Sequence, residues 1–84
     1  MAEKETVKRM VKLIFPQNLI REPVTFQMAK KYDIVPNIRR ARVTETVGEL
    51  VLELEGKEDN VEKGIKYLLE KGVEVKPIVG DIVD

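Results

Sequence analysis

Apolar and polar positions alternate from Thr6 to Phe15: Val7, Val11, Leu13 and Phe15 fall on one face, Lys8, Met10, Lys12 and Ile14 on the other. A period of two predicts a half-buried strand. Pro16 ends it, and residues 17–22 read as a loop. Pro23 suits the first turn of a helix, where its missing N–H costs nothing. Val24, Met28, Ala29 and Tyr32 then recur at helical spacing through about Asp33, and the helix must stop before Pro36. A second strand is predicted over residues 37–45, with Ala41 and Val43 on one side and Arg40 and Arg42 on the other. Residues 46–48 read as a tight turn, which predicts an antiparallel hairpin. Residues 49–55 give the cleanest alternation: Leu50, Leu52 and Leu54 inward, Glu49, Glu53 and Glu55 outward. Gly56 is expected to break that strand.

Glu58 and Asp59 then open a second helix, where acidic groups favour the positive end of the helix dipole. Its buried stripe is predicted as Val61, Gly64, Ile65 and Leu68, joined by Leu69. Gly72 suits the left-handed position that closes a helix. Residues 73–78 make a last short strand with Val73 and Val75 inward, and Pro77 implies an edge strand or its end. The order strand, helix, strand, strand, helix, strand predicts an α+β, ferredoxin-like βαββαβ fold. Right-handed crossovers put both helices on one face of a four-stranded antiparallel sheet and leave the other face open. The domain is expected to span residues 1–78, with residues 79–84 as a tail or linker.

Composition narrows function by what is missing. The chain holds no Cys, His, Ser or Trp. That removes the common nucleophiles, the imidazole base and the soft metal ligands together. Its five glycines are scattered singly, so no phosphate-cradling loop is present. The chain is therefore expected not to be an enzyme, with no catalytic residues, no metal and no cofactor. No apolar run approaches the roughly 18 residues needed to span a bilayer, and the charged N-terminus is unlike a secretory signal. A cytoplasmic protein without direct membrane insertion is expected.

Fifteen basic and fifteen acidic residues cancel, where a nucleic-acid binder usually carries a basic excess. The RNA-recognition module shares this topology but stacks bases on aromatics of strands one and three. Strand three here has none, and Phe15 has the inward parity, so no nucleic-acid partner is expected. With strand one between strands three and four, and strand two outside three, the open face would carry Lys8, Met10, Lys12 and Ile14. Arg40, Arg42, Glu49, Val51, Glu53, Glu55, Glu74, Lys76 and Ile78 would join them. Two readings stay open: a self-neutralised solvated surface, or a homodimer interface built on Met10, Ile14, Val51 and Ile78 among complementary charges. The dimer could form through this face or through a sheet edge.

Several pieces, in order and spacing, resemble the NIL domain family. They are the strand end Leu13-Ile14-Phe15-Pro16, the helix entry Glu22-Pro23-Val24 and Asn37-Ile38. The stretch from Gly48 to Leu54 followed by Gly56, Ile65-Lys66-Tyr67-Leu68 and the Gly72-Val73-Glu74-Val75 ending complete the set. The resemblance runs from about Val11 to Ile78. It implies a regulatory or assembly module. In methionine ABC importers the family's domains pair across the ATPase dimer and bind methionine, which inhibits transport; other members are fused to [4Fe-4S] ferredoxin modules linked with sulfur assimilation. The family's Asn before the Ile of strand two falls on Asn37, followed by Ile38, which makes this pair the candidate ligand contact. A carboxamide can both donate to a carboxylate and accept from an ammonium. Asn37 reads equally as a turn cap after Pro36. No ATPase domain is expected to precede this segment, so control of an importer in cis is not expected, and without Cys the chain cannot hold an iron–sulfur cluster. The resemblance implies a small-molecule ligand, methionine or a related sulfur amino acid, and a homodimer. The alternative is an adaptor that docks a ferredoxin-type, sulfur-transfer or ABC-transporter partner.

Overall fold

The computed structural model describes residues 6–19 and 23–78. The expected tail, residues 79–84, and the end of the first loop, residues 20–22, lie outside them. Strand β1 (Thr6–Phe15) is followed by a single 3-10 turn (Gln17–Leu19), helix α1 (Val24–Tyr32), strands β2 (Val35–Val43) and β3 (Gly48–Lys57), helix α2 (Glu58–Lys71) and strand β4 (Glu74–Pro77). The sheet runs β2-β3-β1-β4 and every neighbouring pair is antiparallel. This is the ferredoxin-like α+β arrangement that the element order predicts.

Alternation along the central strands decides which face is covered. Val11 and Leu13 of β1 and Leu52 and Leu54 of β3 are fully buried, as are Val24 and Met28 of α1 and Val61 and Leu68 of α2. These residues form one continuous core, so both helices lie over one face of the sheet. Truncating any of the buried leucines to Ala is worth about 2–5 kcal/mol. Ile34, between α1 and β2, is also buried, although it falls outside both predicted elements. The helices cross closely: a Cβ on Gly64 would stand 2.5 Å from Ile34 Cδ1 and 2.8 Å from Met28 Sδ. Gly72 takes φ 102°, and the chain closes α2 with bonds from the Gly72 and Val73 N–H groups to the Leu69 and Leu68 carbonyls. That is the left-handed termination the sequence predicts.

Several boundaries differ from expectation. Pro23 caps α1 rather than opening its first turn, and Asp33, at φ 58°, ends it. β2 begins at Val35 and contains Pro36, which an edge strand tolerates because half of its backbone groups face no neighbour. It ends at Val43, because Thr44 makes the turn. The Thr44 hydroxyl accepts from the N–H of Val47 at 3.0 Å, and the Thr44 N–H donates to the Val47 carbonyl at 2.7 Å. Gly48 therefore belongs to β3. Gly56 does not break that strand but pairs with Val7 inside it. A Cβ there would press on the Asp33 carbonyl at 3.3 Å, so the position serves the close passage of the α1–β2 connection. Leu69 is 53% exposed rather than buried, because it sits one residue, about 100°, past the Leu68 face. β4 is shorter than expected, spanning Glu74–Pro77, and Val73 is buried just before it.

Candidate functional site

Opposed residues on neighbouring strands share a face, so the register writes out the open face row by row. One row holds Val35, Glu55 and Lys8; the next Asn37, Glu53 and Met10; the third Arg40, Val51, Lys12 and Lys76; the fourth Arg42, Glu49, Ile14 and Glu74. Polar contacts cross these rows. The Asn37 amide donates to Glu55 Oε1 at 3.5 Å, and the Arg39 guanidinium stands 3.6 Å from Glu53. Lys76 and Glu74 pair at 3.6 Å, both more than half exposed. Such surface pairs are each worth about 0–1 kcal/mol. A groove of about 210 Å³ on this face is lined by Lys12, Arg40, Arg42, Glu49 and Val51.

The second concave region lies at the other side of β2, where the short α1 leaves the edge strand partly uncovered. A cleft of about 150 Å³ is lined by Phe15, Pro23, Thr25, Phe26, Val43 and Leu50, with Gly48 and Glu49 at its rim. A wider trough continues from Thr25 and Phe26 past Ala29 and Lys30 to Ile34, Pro36 and Ile38. The walls are chiefly apolar. Phe26, Ile38 and Val43 stay 55–63% exposed around it. Thr25 forms part of the wall, and its buried hydroxyl has no hydrogen-bond partner among the described residues. An apolar cleft with a few polar groups in its walls is the usual shape of a small-ligand site.

The strand separates the two candidate ligand residues. Asn37 opposes Glu53 and faces the open side, whereas Ile38 opposes the core residue Leu52 and faces the trough. Met10, Ile14 and Val51 lie together on the open face, and the Ile78 N–H donates to the Met10 carbonyl at 3.1 Å. All four of these side chains are half-buried. The larger exposed apolar groups are Phe26, Val35, Ile38, Val43 and Leu69. Sequence reasoning passed over Thr25 and Phe26. A signal existed: Phe26 is an aromatic residue off the apolar stripe of α1, where a merely solvated helix face would carry a polar residue.

Among the described residues no group of His, Cys, Asp or Glu is arranged to hold a metal ion, and no helix is long and apolar enough to cross a membrane. The cleft offers aromatic walls from Phe15 and Phe26 beside Thr25.

Comparison with known proteins agrees with the fold. The chain is 27% and 28% identical, over 78 residues, to the methionine import ATP-binding proteins MetN 1 from two strains of Bacillus cereus. The match covers 88% of this chain and 22% of each relative, so the chain spans about a fifth of their length. The fold superposes with a TM-score of 0.73 on the crystal structure of the C-terminal domain of an ABC transporter ATP-binding protein from Enterococcus faecalis. That superposition covers 87% of this chain and 86% of that one, at 22% identity. Residues 9–77, most of the chain and all but the ends of its sheet, match the model of the NIL domain, and the chain belongs to that family.

Proposed function

We propose that this domain is a non-catalytic, cytoplasmic binding module that takes methionine or a related sulfur amino acid in the trough between α1 and β2. A second copy of the chain then packs against the same rim. The observation that carries the reading is the apolar cleft around Phe15, Phe26 and Leu50, with Thr25, whose buried hydroxyl has no hydrogen-bond partner among the described residues, in its wall. A thioether side chain is apolar and polarisable and packs favourably against aromatic rings. The Thr25 hydroxyl would meet the ligand's polar end, and Ile38 would line its path. The relatives' role in methionine import supplies the choice of amino acid.

For the second copy, strand-on-strand pairing along β2 is disfavoured. A register shift falls between Ile38 and Arg40, and three arginines crowd that edge. Bulges and edge charges are devices that discourage such pairing. Contact through Phe26, Ile38 and Val43, all on the helix side, avoids both obstacles.

A thermal-shift titration tests the reading. L-Methionine at millimolar concentration should raise the midpoint, by the equivalent of about 2.7 kcal/mol at a hundredfold excess over the dissociation constant. Thr25→Val and Ile38→Arg should each remove most of that shift. An undiminished shift in both variants, lost instead in Asn37→Ala, would move the site to the open face. No shift for the intact chain would refute ligand binding and leave the exposed rim as an adaptor surface for a ferredoxin-type, sulfur-transfer or transporter partner.

A further inference from the structure

Helix α1 lays two rows of side chains along the trough beside β2. Thr25 and Ala29, one turn apart, are small and half-buried, and Phe26 and Lys30 stand exposed at the mouth beside them. Ile34 closes the floor, and Pro36 and Ile38 form the far wall. The trough holds about 480 Å³, room for a small ligand. Its lining is apolar save for Thr25 and one charge, that of Lys30. The Lys30 ammonium lies 6.0 Å from the centre of the Phe26 ring, over the trough's own wall. Its neighbour Lys31 points instead to Tyr32 and Tyr67, 5.6 and 5.4 Å from their ring centres. No carboxylate among the described residues pairs with Lys30. Glu49, at the rim of the adjoining cleft, opposes Arg42 and belongs to the outward column of β3. The trough therefore carries a cation at one end and no anion.

We propose that Lys30 selects the ligand by its carboxylate, so that the trough takes apolar monocarboxylates and does not require the amino group of an amino acid. The proposal rests on the reading of the trough as a small-ligand site and sharpens the class of ligand. A carboxylate gains a charge-assisted bond from Nζ, while the apolar chain runs along Ala29 and Ile38 toward the cleft at Phe15 and Leu50. An ammonium on the carbon next to the carboxylate would be drawn close to Lys30, with no acid in the trough's lining to offset the repulsion. Phe26 serves both ends: its ring steadies the lysine and flanks the apolar chain.

Backbone amide shifts of the isotope-labelled chain test this with three probes at matched ionic strength. They are 4-(methylthio)butanoate, which is methionine without its amino group, L-methionine itself, and L-methioninamide, which lacks the carboxylate. Saturable shifts at residues 25–30, 34 and 38 are expected for both carboxylates. 4-(Methylthio)butanoate should bind at least as tightly as L-methionine and at least about tenfold more tightly than the amide. Lys30 is exposed, so Lys30→Gln should fold normally and bring all three affinities within about threefold of one another. Lys30→Glu should reverse the order and favour the amide. Saturation by L-methionine but not by 4-(methylthio)butanoate, or an undiminished preference in folded Lys30→Gln, overturns the role of Lys30 and leaves the trough as an amino-acid site. Absence of saturation by all three probes overturns both.

Discussion

Replacing Phe26 with Ala separates the fold from the proposed assembly. The ring is 63% exposed, so of the roughly 200 Å² that a phenylalanine side chain can bury, about 120 Å² stays open in one chain. Covering that area at about 25 cal/mol/Å² would contribute about 3 kcal/mol per copy, and a two-fold axis presents the residue twice. Truncation energies at interfaces are not additive, so the safer expectation is a dimer dissociation constant raised at least about 100-fold. Within one chain the loss is smaller. Only the remaining third of the ring is packed, and Phe26→Ala should cost the fold about 1–2 kcal/mol. Sedimentation equilibrium of the intact chain and the variant reads the first quantity; urea unfolding at low micromolar concentration reads the second. If the intact chain sediments as one copy at several hundred micromolar, or the folded variant keeps the same dissociation constant, the reasoning about this rim is wrong.

Gly64→Ala should destabilise by about 0.5–2 kcal/mol, because crowding against Ile34 and Met28 outweighs the roughly 1 kcal/mol gain in helix propensity. Combining it with Ile34→Val, which removes the Cδ1 atom in question, should recover at least about 0.5 kcal/mol in a double-mutant cycle, and a stabilised Gly64→Ala would contradict the close crossing. Gly72→Ala should cost about 1 kcal/mol by denaturant unfolding. The nearest atom to an added Cβ is 3.8 Å away, so the loss comes from the left-handed backbone alone, and an unchanged midpoint would refute it. Leu69→Lys should change stability by less than about 0.5 kcal/mol, and a loss above about 1 kcal/mol would return Leu69 to the core.

The sheet and its order were legible because β1 and β3 alternate cleanly and each is buried on a single face. Leu50, Leu52 and Leu54 leave no other register that keeps all three inward. Helix ends were legible where chemistry marks them, as Glu58 and Gly72 do. The glycines misled wherever their role was packing: Gly56 reads as a breaker in sequence, yet it lies mid-ladder because Asp33 and Ile34 pass close by. Ile34 was missed because it stands alone between elements, where periodicity gives no signal. The trough was illegible for a related reason. It exists because a nine-residue α1 is too short to cover β2, and that is a property of how elements overlap rather than of any local motif.

The phase of β2 ties these observations together. Its helix-side residues are Pro36 and Ile38, then Ala41 and Val43, and the step between the two pairs is three residues rather than two. A regular strand with this sequence would turn Ala41 and Val43 outward and bury Arg40 and Arg42 against the helices. The irregularity between Ile38 and Arg40 absorbs the extra residue and restores the phase. The same step sends Arg40 and Arg42 to the open face, beside Lys12 and over Val51, while it completes the apolar rim with Val43. One added residue in an edge strand thus creates both concave surfaces at once, charged on one side and apolar on the other. It also disturbs the outer ladder enough to favour partners that dock through side chains over those that add a strand.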